Sequence, residues 1–191
     1  MSRKLNVGCG RNIIEGWINL DRMALPGVDV VADIDSCAVR PLPLPDDHVD
    51  EFLLSHVLEH LHNPLPLMQE LHRIAVPDAL AVVRIPYGSS DDAFEDPTHL
   101  RQYFHNSFGY FSQPFYWRAD YGFRGDWNAE RVSLLLPKDD NEGLSVDEIM
   151  RKIRTLRNQV KEMIVELRAI KPARAPLAEL QHPPAIELVL V

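Results

Sequence analysis

The sequence predicts an α/β fold built on a mostly parallel sheet, and three observations carry that prediction. Short apolar runs end repeatedly at Gly or Asp. Lys4-Leu5-Asn6-Val7 stops at Gly8-Cys9-Gly10, Trp17-Ile18-Asn19-Leu20 at Asp21, and Val28-Asp29-Val30-Val31-Ala32 at Asp33. Further on, Val57, Leu58, Leu61, Leu65, Met68, Leu71 and Ile74 recur at helical spacing. Apolar runs then follow again, so the order strand, loop, strand, loop, strand, helix, strand emerges, as in parallel α/β sheets.

Each element has its own justification. Val7 enters Gly8-Cys9-Gly10 as a buried strand enters a tight loop. Ten residues separate Gly10 from Asp21. That is too few for a crossover helix of ordinary length, so a turn or helical stub is expected there. Pro41-Leu42-Pro43-Leu44-Pro45 can be neither helix nor central strand and reads as a loop. Val49 to Ser55 is a fourth strand. Pro64 and Pro66 divide 56–74 into two helical pieces, the second starting near Pro64. Ala79 to Ile85 is a fifth strand, ended by Pro86. Residues 86–137 are dense in aromatics, from Tyr87 to Trp127, which form either a pocket wall and lid or the filling beneath the sheet edge. Strands are expected near Tyr116–Phe123 and Arg131–Leu136.

The last third reads differently. Ser145-Val146-Asp147-Glu148 fits a capping box. Val146, Ile153, Val160 and Leu167 then share one heptad position, and Ile149, Leu156, Met163 and Ile170 the other, which is the spacing of a coiled-coil seam. Pro172 ends it. A helix over about 145–171, roughly 39 Å long at 1.5 Å per residue, is therefore expected. The chain accordingly divides into a domain over 1–141 and an appendage over 142–191, with the helix as a homo-oligomerisation element. Ala185–Val191 is a possible terminal strand.

Composition limits function. With 46% apolar and 25% charged residues among 191, the chain has a globular profile. No run of about eighteen apolar residues exists to span a membrane. Met1-Ser2-Arg3-Lys4-Leu5 leads at once into a strand-like segment, which speaks against a signal peptide, and Cys9 and Cys37 make no disulfide framework. A cytoplasmic location is expected. The net charge of −8 is concentrated in residues 1–144, which hold 12 basic and 22 acidic side chains. Such a body repels phosphate backbones and disfavours nucleic-acid partners.

The candidate site lies where the first strands end. Glycines at 8 and 10 let the backbone turn sharply and approach a ligand. Asn12 stands where a dinucleotide fingerprint needs its third glycine, which argues against NAD or FAD. Asp21 can accept from two vicinal ribose hydroxyls, while Asp33, with the backbone of Ile34, can meet an adenine amino group. Either acid can instead serve as a helix cap or turn residue.

These segments resemble a known family. Leu5-Asn6-Val7-Gly8-Cys9-Gly10, Gly16-Trp17-Ile18-Asn19-Leu20-Asp21, Ala32-Asp33-Ile34, Leu42-Pro43-Leu44-Pro45-Asp46 and Ser55-His56-Val57-Leu58-Glu59-His60 look like class I S-adenosylmethionine-dependent methyltransferases. The likeness is closest to the short type 11 branch and covers roughly residues 4–111. It implies a Rossmann-like fold and S-adenosylmethionine as cofactor. Gly8 and Gly10 would face its methionine part, with Asn6 and Cys9 in the same loop, Asp21 the ribose, Asp33 and Ile34 the adenine. His56, after Ser55 at the end of the fourth strand, would lie beneath it. Asp96-Pro97-Thr98-His99 also resembles this branch. There His99 is the candidate general base, with Asp96 orienting it. His56, Glu59, His60 and His62 invite a metal reading. Because the cluster fits the family's recurrent helix start without metal, no metal is expected.

The expected activity is methyl transfer to O or N of a small molecule or sugar. A nucleic-acid methyltransferase is the enzymatic alternative, supported only by Arg151, Lys152, Arg154, Arg157 and Lys161. A cofactor-binding scaffold without turnover is the other.

Overall fold

The computed structural model describes residues 3–191, so Met1 and Ser2 of the expected leaderless start lie outside the described residues. Eight strands form one sheet: β1 (Lys4–Val7), β2 (Ile18–Asp21), β3 (Val30–Val31), β4 (Val49–Ser55), β5 (Ala75–Pro86), β6 (Trp127–Leu136), β7 (Glu162–Ala169) and β8 (Ala185–Leu190). Their spatial order is β3-β2-β1-β4-β5-β7-β6-β8. Pairings from β3 through β5 are parallel, β7 runs antiparallel to both β5 and β6, and β8 is parallel to β6. The helices are α1 (Pro64–Ile74), α2 (Asp92–Glu95), α3 (Lys138–Asn141) and α4 (Val146–Thr155). The expected Rossmann-like, mostly parallel sheet is therefore present.

The first crossover contains no helix, as its length required. Buried Asn19 organises it instead. Its Oδ1 accepts from Asn6 Nδ2 at 3.0 Å and from the Ile14 amide at 3.0 Å, while its Nδ2 donates to the carbonyls of Ile14 and Trp17. One side-chain amide thus satisfies backbone groups that helical bonds would otherwise take up. The Pro-rich loop 41–45 is strapped to α1: the Leu42 amide donates to Glu70 Oε1 at 2.7 Å, and Arg73 reaches the carbonyls of Leu42 and Leu44. Asn63 caps α1 through the Leu65 amide, with Pro64 in its first turn. Residues 58–60, the first helical piece, form a single 3-10 turn.

Three expectations are corrected. The coiled-coil helix over 145–171 does not form. The capping box at Ser145 is present, but α4 ends at Thr155, Asn158 takes a positive φ of 58°, and residues 162–169 are strand β7. In β7 Met163, Val165, Leu167 and Ala169 are buried and their neighbours are not. A spacing of four, such as Met163 to Leu167, satisfies a helical face and a strand face alike, so heptad counting could not separate them. The boundary at 141/142 likewise does not divide the sheet, because β7 from the supposed appendage lies between β5 and β6. Residues 116–123 form no strand. A 3-10 turn spans Gln113–Tyr116, and Gln113 Nε2 takes the carbonyls of Phe123 and Gly125, using groups a ladder would need. The strands at 131–136 and 185–191 do appear, within β6 and as β8.

The aromatic region divides: Phe104, Tyr110, Trp117 and Tyr121 are exposed, and the larger part is filling. Tyr87, Tyr103, Phe108, Phe111, Tyr116, Phe123 and Trp127 are buried in the main core. Trp127 is fully enclosed, donates Nε1 to the Met68 carbonyl at 2.8 Å, and meets Phe52 edge-on. Among the described residues no helix is long and apolar enough to cross a membrane.

Candidate active site

β1, β2 and β4 all deliver their C-terminal ends to one rim, beside the switch point where chain order reverses around β1. Open α/β sheets bind ligands at such places. A cavity of about 500 Å³ opens there, lined among others by Gly8, Asp21, Asp33, Ile34, His56 and Val57. That volume is within the usual range for small-molecule sites.

Asp21 is set before any ligand arrives. Its Oδ2 accepts from the Gly10 amide at 2.8 Å and its Oδ1 from the Met23 amide at 2.9 Å. Each oxygen keeps a further lone pair to offer. Gly10 turns through φ 53° to bring its amide round, with nothing within 4 Å of a hypothetical Cβ. Gly8, at φ 64°, is tighter: a Cβ there would stand 2.9 Å from Val57 Cγ2. Asp33 lines the cavity, but its Oδ1 accepts from the Asp35 amide at 3.1 Å and caps the 3-10 turn 34–36. It therefore plays the capping role while facing the site.

Other predicted residues are placed less directly. Asn6 is buried and spends its amide on Asn12 O and Asn19, holding the loop rather than lining the cavity. Cys9 is buried, and burial together with Asp21 pushes its thiol pKa up. Ser55 ends β4 without lining the cavity. His56, at φ 55°, lies on the wall shared with a second cavity of about 380 Å³, which His60, Asp96, His99 and Glu162 also line.

The two cavities meet over a cluster of titratable groups. His56 Nε2 is 3.2 Å from Glu162 Oε1, and Arg84 donates to both Glu162 oxygens at 3.2 and 2.6 Å. Glu59 is 2% exposed and neither oxygen has a hydrogen-bond partner, although His56 Nδ1 stands 3.3 Å from Oε1. Burial pushes its carboxyl pKa up, against the pull of the neighbouring His56, His60 and His99 imidazoles. The expected His99–Asp96 pair does not form as a hydrogen bond. Nε2 and Oδ2 are 3.8 Å apart, and Asp96 Oδ1 instead accepts from the Thr98 amide at 2.8 Å and hydroxyl at 2.6 Å. Those two bonds hold the Asp96 pKa below its ordinary value. Arg22, Asp35 and Thr98 at the first cavity, and Glu162 at the second, escaped sequence reasoning. Asp35 had a signal in its spacing from Asp33, whereas Glu162 had none once 162–169 was read as helix.

Residues 5–83, spanning β1 to the middle of β5, match the family described as "Methyltransferase domain", type 11. Over that stretch the chain is similar to a type 11 methyltransferase domain. Solved structures share the fold of this chain. A SAM-dependent methyltransferase from Archaeoglobus fulgidus is 20% identical, with a TM-score of 0.58, covering 87% of this chain and 86% of that one. One from Aquifex aeolicus is 17% identical, TM-score 0.53, covering 88% and 82%. A Thermotoga maritima SAM-dependent methyltransferase, described as a possible histamine N-methyltransferase, is 15% identical, TM-score 0.55, covering 90% and 83%. No curated protein sequence matches this chain significantly.

Proposed function

We propose that this chain is a methyltransferase that moves the methyl group of S-adenosylmethionine to an oxygen or nitrogen of a small molecule or sugar held in the second cavity. The observation that carries the reading is the Asp21 carboxylate, fixed by the Gly10 and Met23 amides at the mouth of the first cavity. A charged acceptor with lone pairs to spare suits the two ribose hydroxyls. The left-handed turns at Gly8 and Gly10 leave backbone at the rim for the methionine portion. Asp33 and Ile34 line the same cavity, where they would meet the adenine.

A sulfonium methyl is already activated, so the chain's contribution is to hold donor and acceptor in line and to keep water out. His56 belongs to both cavities and is flanked by Glu59 and Glu162, so its imidazole is the group best placed to hold an acceptor's proton. His99 lines the second cavity alone, beside His60, which like His56 lines both. The polar lining of that cavity, with Asp92, Asp96, Lys161 and Glu162, suits a hydroxylated or amino-bearing acceptor. The net charge of −8 favours such an acceptor over nucleic acid.

The test has two stages. Calorimetry should show binding of S-adenosylmethionine and of its demethylated product. A panel of hydroxylated and amino-bearing small molecules and sugars is then screened for a mass gain of one methyl. Absence of cofactor binding at millimolar concentration would remove the proposal, and a gel shift with duplex DNA or RNA at physiological salt would turn it toward nucleic acid.

A further inference from the structure

The buried groups between the two cavities go beyond what methyl transfer needs. Glu59, His60 and His99 each present one ligand-type atom, and all three atoms lie within 4.8 Å of one another. Glu59 is 2% exposed with both carboxylate oxygens unpartnered, and the His99 side chain is 8% exposed with Nδ1 buried and unpartnered. Buried polar atoms are nearly always satisfied, and three orphans converging on one point need a partner. Among the described residues the nearest group is His56 Nδ1, 3.3 Å from Glu59 Oε1, which leaves Glu59 Oε2 and His99 Nδ1 with none.

The tautomers are set by what surrounds the rings. The Thr98 hydroxyl donates to the Asp96 carboxylate at 2.6 Å, so at its 2.9 Å contact with His60 Nδ1 it accepts. His60 therefore carries its proton on Nδ1 and leaves the Nε2 lone pair free. On His99, Nδ1 is the buried, unpartnered nitrogen, while Nε2 lies 3.8 Å from Asp96 Oδ2, beyond hydrogen-bond reach. Asp96 thus orients the His60 ring through Thr98. Carboxylates and hydroxyls behind metal-bound histidines play this part.

We propose that Glu59, His60 and His99 form a binding site for a divalent transition-metal ion of the zinc class, with an open coordination position facing the acceptor cavity. Two imidazoles and a carboxylate are a donor set for zinc and its neighbours; magnesium and calcium prefer all-oxygen ligands. Ligands about 2.1 Å from a tetrahedral ion stand roughly 3.4 Å apart, so side-chain shifts of about an ångström close the cluster. His60 and His99 both line the second cavity, so a fourth ligand would come from there. That ligand is an oxygen of the acceptor, a hydroxyl or a carboxylate, held beside the donor rim. This last step rests on the methyl-transfer reading; the metal site itself does not. The sequence pointed to a different grouping, with His56 and His62. His62 pairs instead with Asp35, and His56 with Glu162.

The test uses the full chain stripped with a chelator. Zinc chloride is titrated by calorimetry, and metal content is measured after gel filtration. We expect one zinc per chain, competition by cobalt with visible bands of a four- or five-coordinate site, and no competition by magnesium. Glu59→Gln and His99→Ala each weaken zinc binding by at least about tenfold. Because those side chains are buried, the half-buried His60→Ala is the decisive variant, and His62→Ala should bind zinc like the parent. Binding of S-adenosylhomocysteine is followed in parallel as a readout of the folded site. Zinc that is not retained, or is retained undiminished by a His60→Ala chain that still binds S-adenosylhomocysteine, overturns the site. Failure of S-adenosylhomocysteine to bind a zinc-loaded chain instead overturns the methyl-transfer reading alone.

Discussion

Replacing Asp21 by Asn probes the donor site with little change of shape. The native carboxylate accepts from the Gly10 amide at 2.8 Å and the Met23 amide at 2.9 Å, one through each oxygen. An asparagine has one acceptor oxygen, so whichever way it turns its amino group confronts one of those backbone donors. A hydrogen bond to a charged group contributes about 1.5–3 kcal/mol. With Asp21 half-buried, losing one such bond lowers stability by about 2 kcal/mol. The same substitution removes charge from the proposed ribose contact. One weakened charge-assisted bond of about 1.5–3 kcal/mol corresponds to roughly ten- to hundredfold in affinity, at 1.4 kcal/mol per tenfold. The assay is a calorimetric titration of S-adenosylhomocysteine into parent and Asp21→Asn chains well below their unfolding midpoints, with matched circular dichroism. A folded variant of unchanged affinity refutes the ribose assignment, whatever happens to its stability. Asp21→Ala removes the remaining acceptor and is expected to weaken binding by at least tenfold.

Three more outcomes follow from the packing. A chain ending at Asn141 should not fold, because Met163, Val165 and Leu167 of β7 are fully buried between β5 and β6. At about 1.5–3 kcal/mol per side chain their loss approaches the whole stability of a domain, and a cooperative thermal transition in the shortened chain would contradict the strand order. Asp126 is fully buried, and its carboxylate accepts from Arg174 Nε and Nη2 at 2.8 Å and from the Gln113 amide at 3.1 Å. Burial alone raises its pKa, but the Arg174 bonds outweigh burial and leave it depressed. Its stabilisation is therefore present above the ordinary carboxylate range and is lost as pH falls through it. Asp126→Asn should cost roughly 3–5 kcal/mol in urea melts at neutral pH, and the gap to the parent should narrow in acid. His72 is buried against Trp127, with its Nε2 3.0 Å from the Ile170 carbonyl. Burial lowers its pKa, helped by Lys171 and opposed by that carbonyl, Asp126 and Asp47. The unfolded chain then takes up a proton first, so stability contributed above about pH 6.5 is lost as pH falls below it. His72→Phe should flatten that slope between pH 6.5 and 5; a slope as steep as the parent's would show that other groups cause it.

The fold was legible where one period could be told from the other. Residues 4–7, 18–21 and 49–55 are short apolar runs closed by turn residues, and all are strands. The missing first helix followed from chain length alone. The C-terminal third was misread because its apolar residues satisfy two periods at once. Val160, Met163 and Leu167 suit a helical seam, and Met163, Val165 and Leu167 suit a strand. What decided the matter was tertiary: β5 and β6 leave a gap that only a strand can fill, and Asn158 at positive φ ends any helix before it. Tertiary context overrides propensity in this way when local signals are balanced.

The candidate site divides along the same line. Gly8, Gly10 and Asp21 were readable because each performs a local task, a turn or a strand-end hydrogen bond, that a short segment can encode. The second cavity could not be read, since it joins His56 and His60 after β4, Asp96 and His99 from the loop after α2, and Glu162 from β7. Glu59 and His99 are forty residues apart and come together only because the Leu100 and Arg101 amides both donate to the Glu59 carbonyl, at 2.7 and 3.2 Å. Those two backbone bonds carry the loop 96–101 across the end of β4 and bring His99 over the Glu59 carboxylate. The rim from Gly8 to Asp21 is thus written in contiguous sequence, and the second cavity in the folding of three distant segments onto one another.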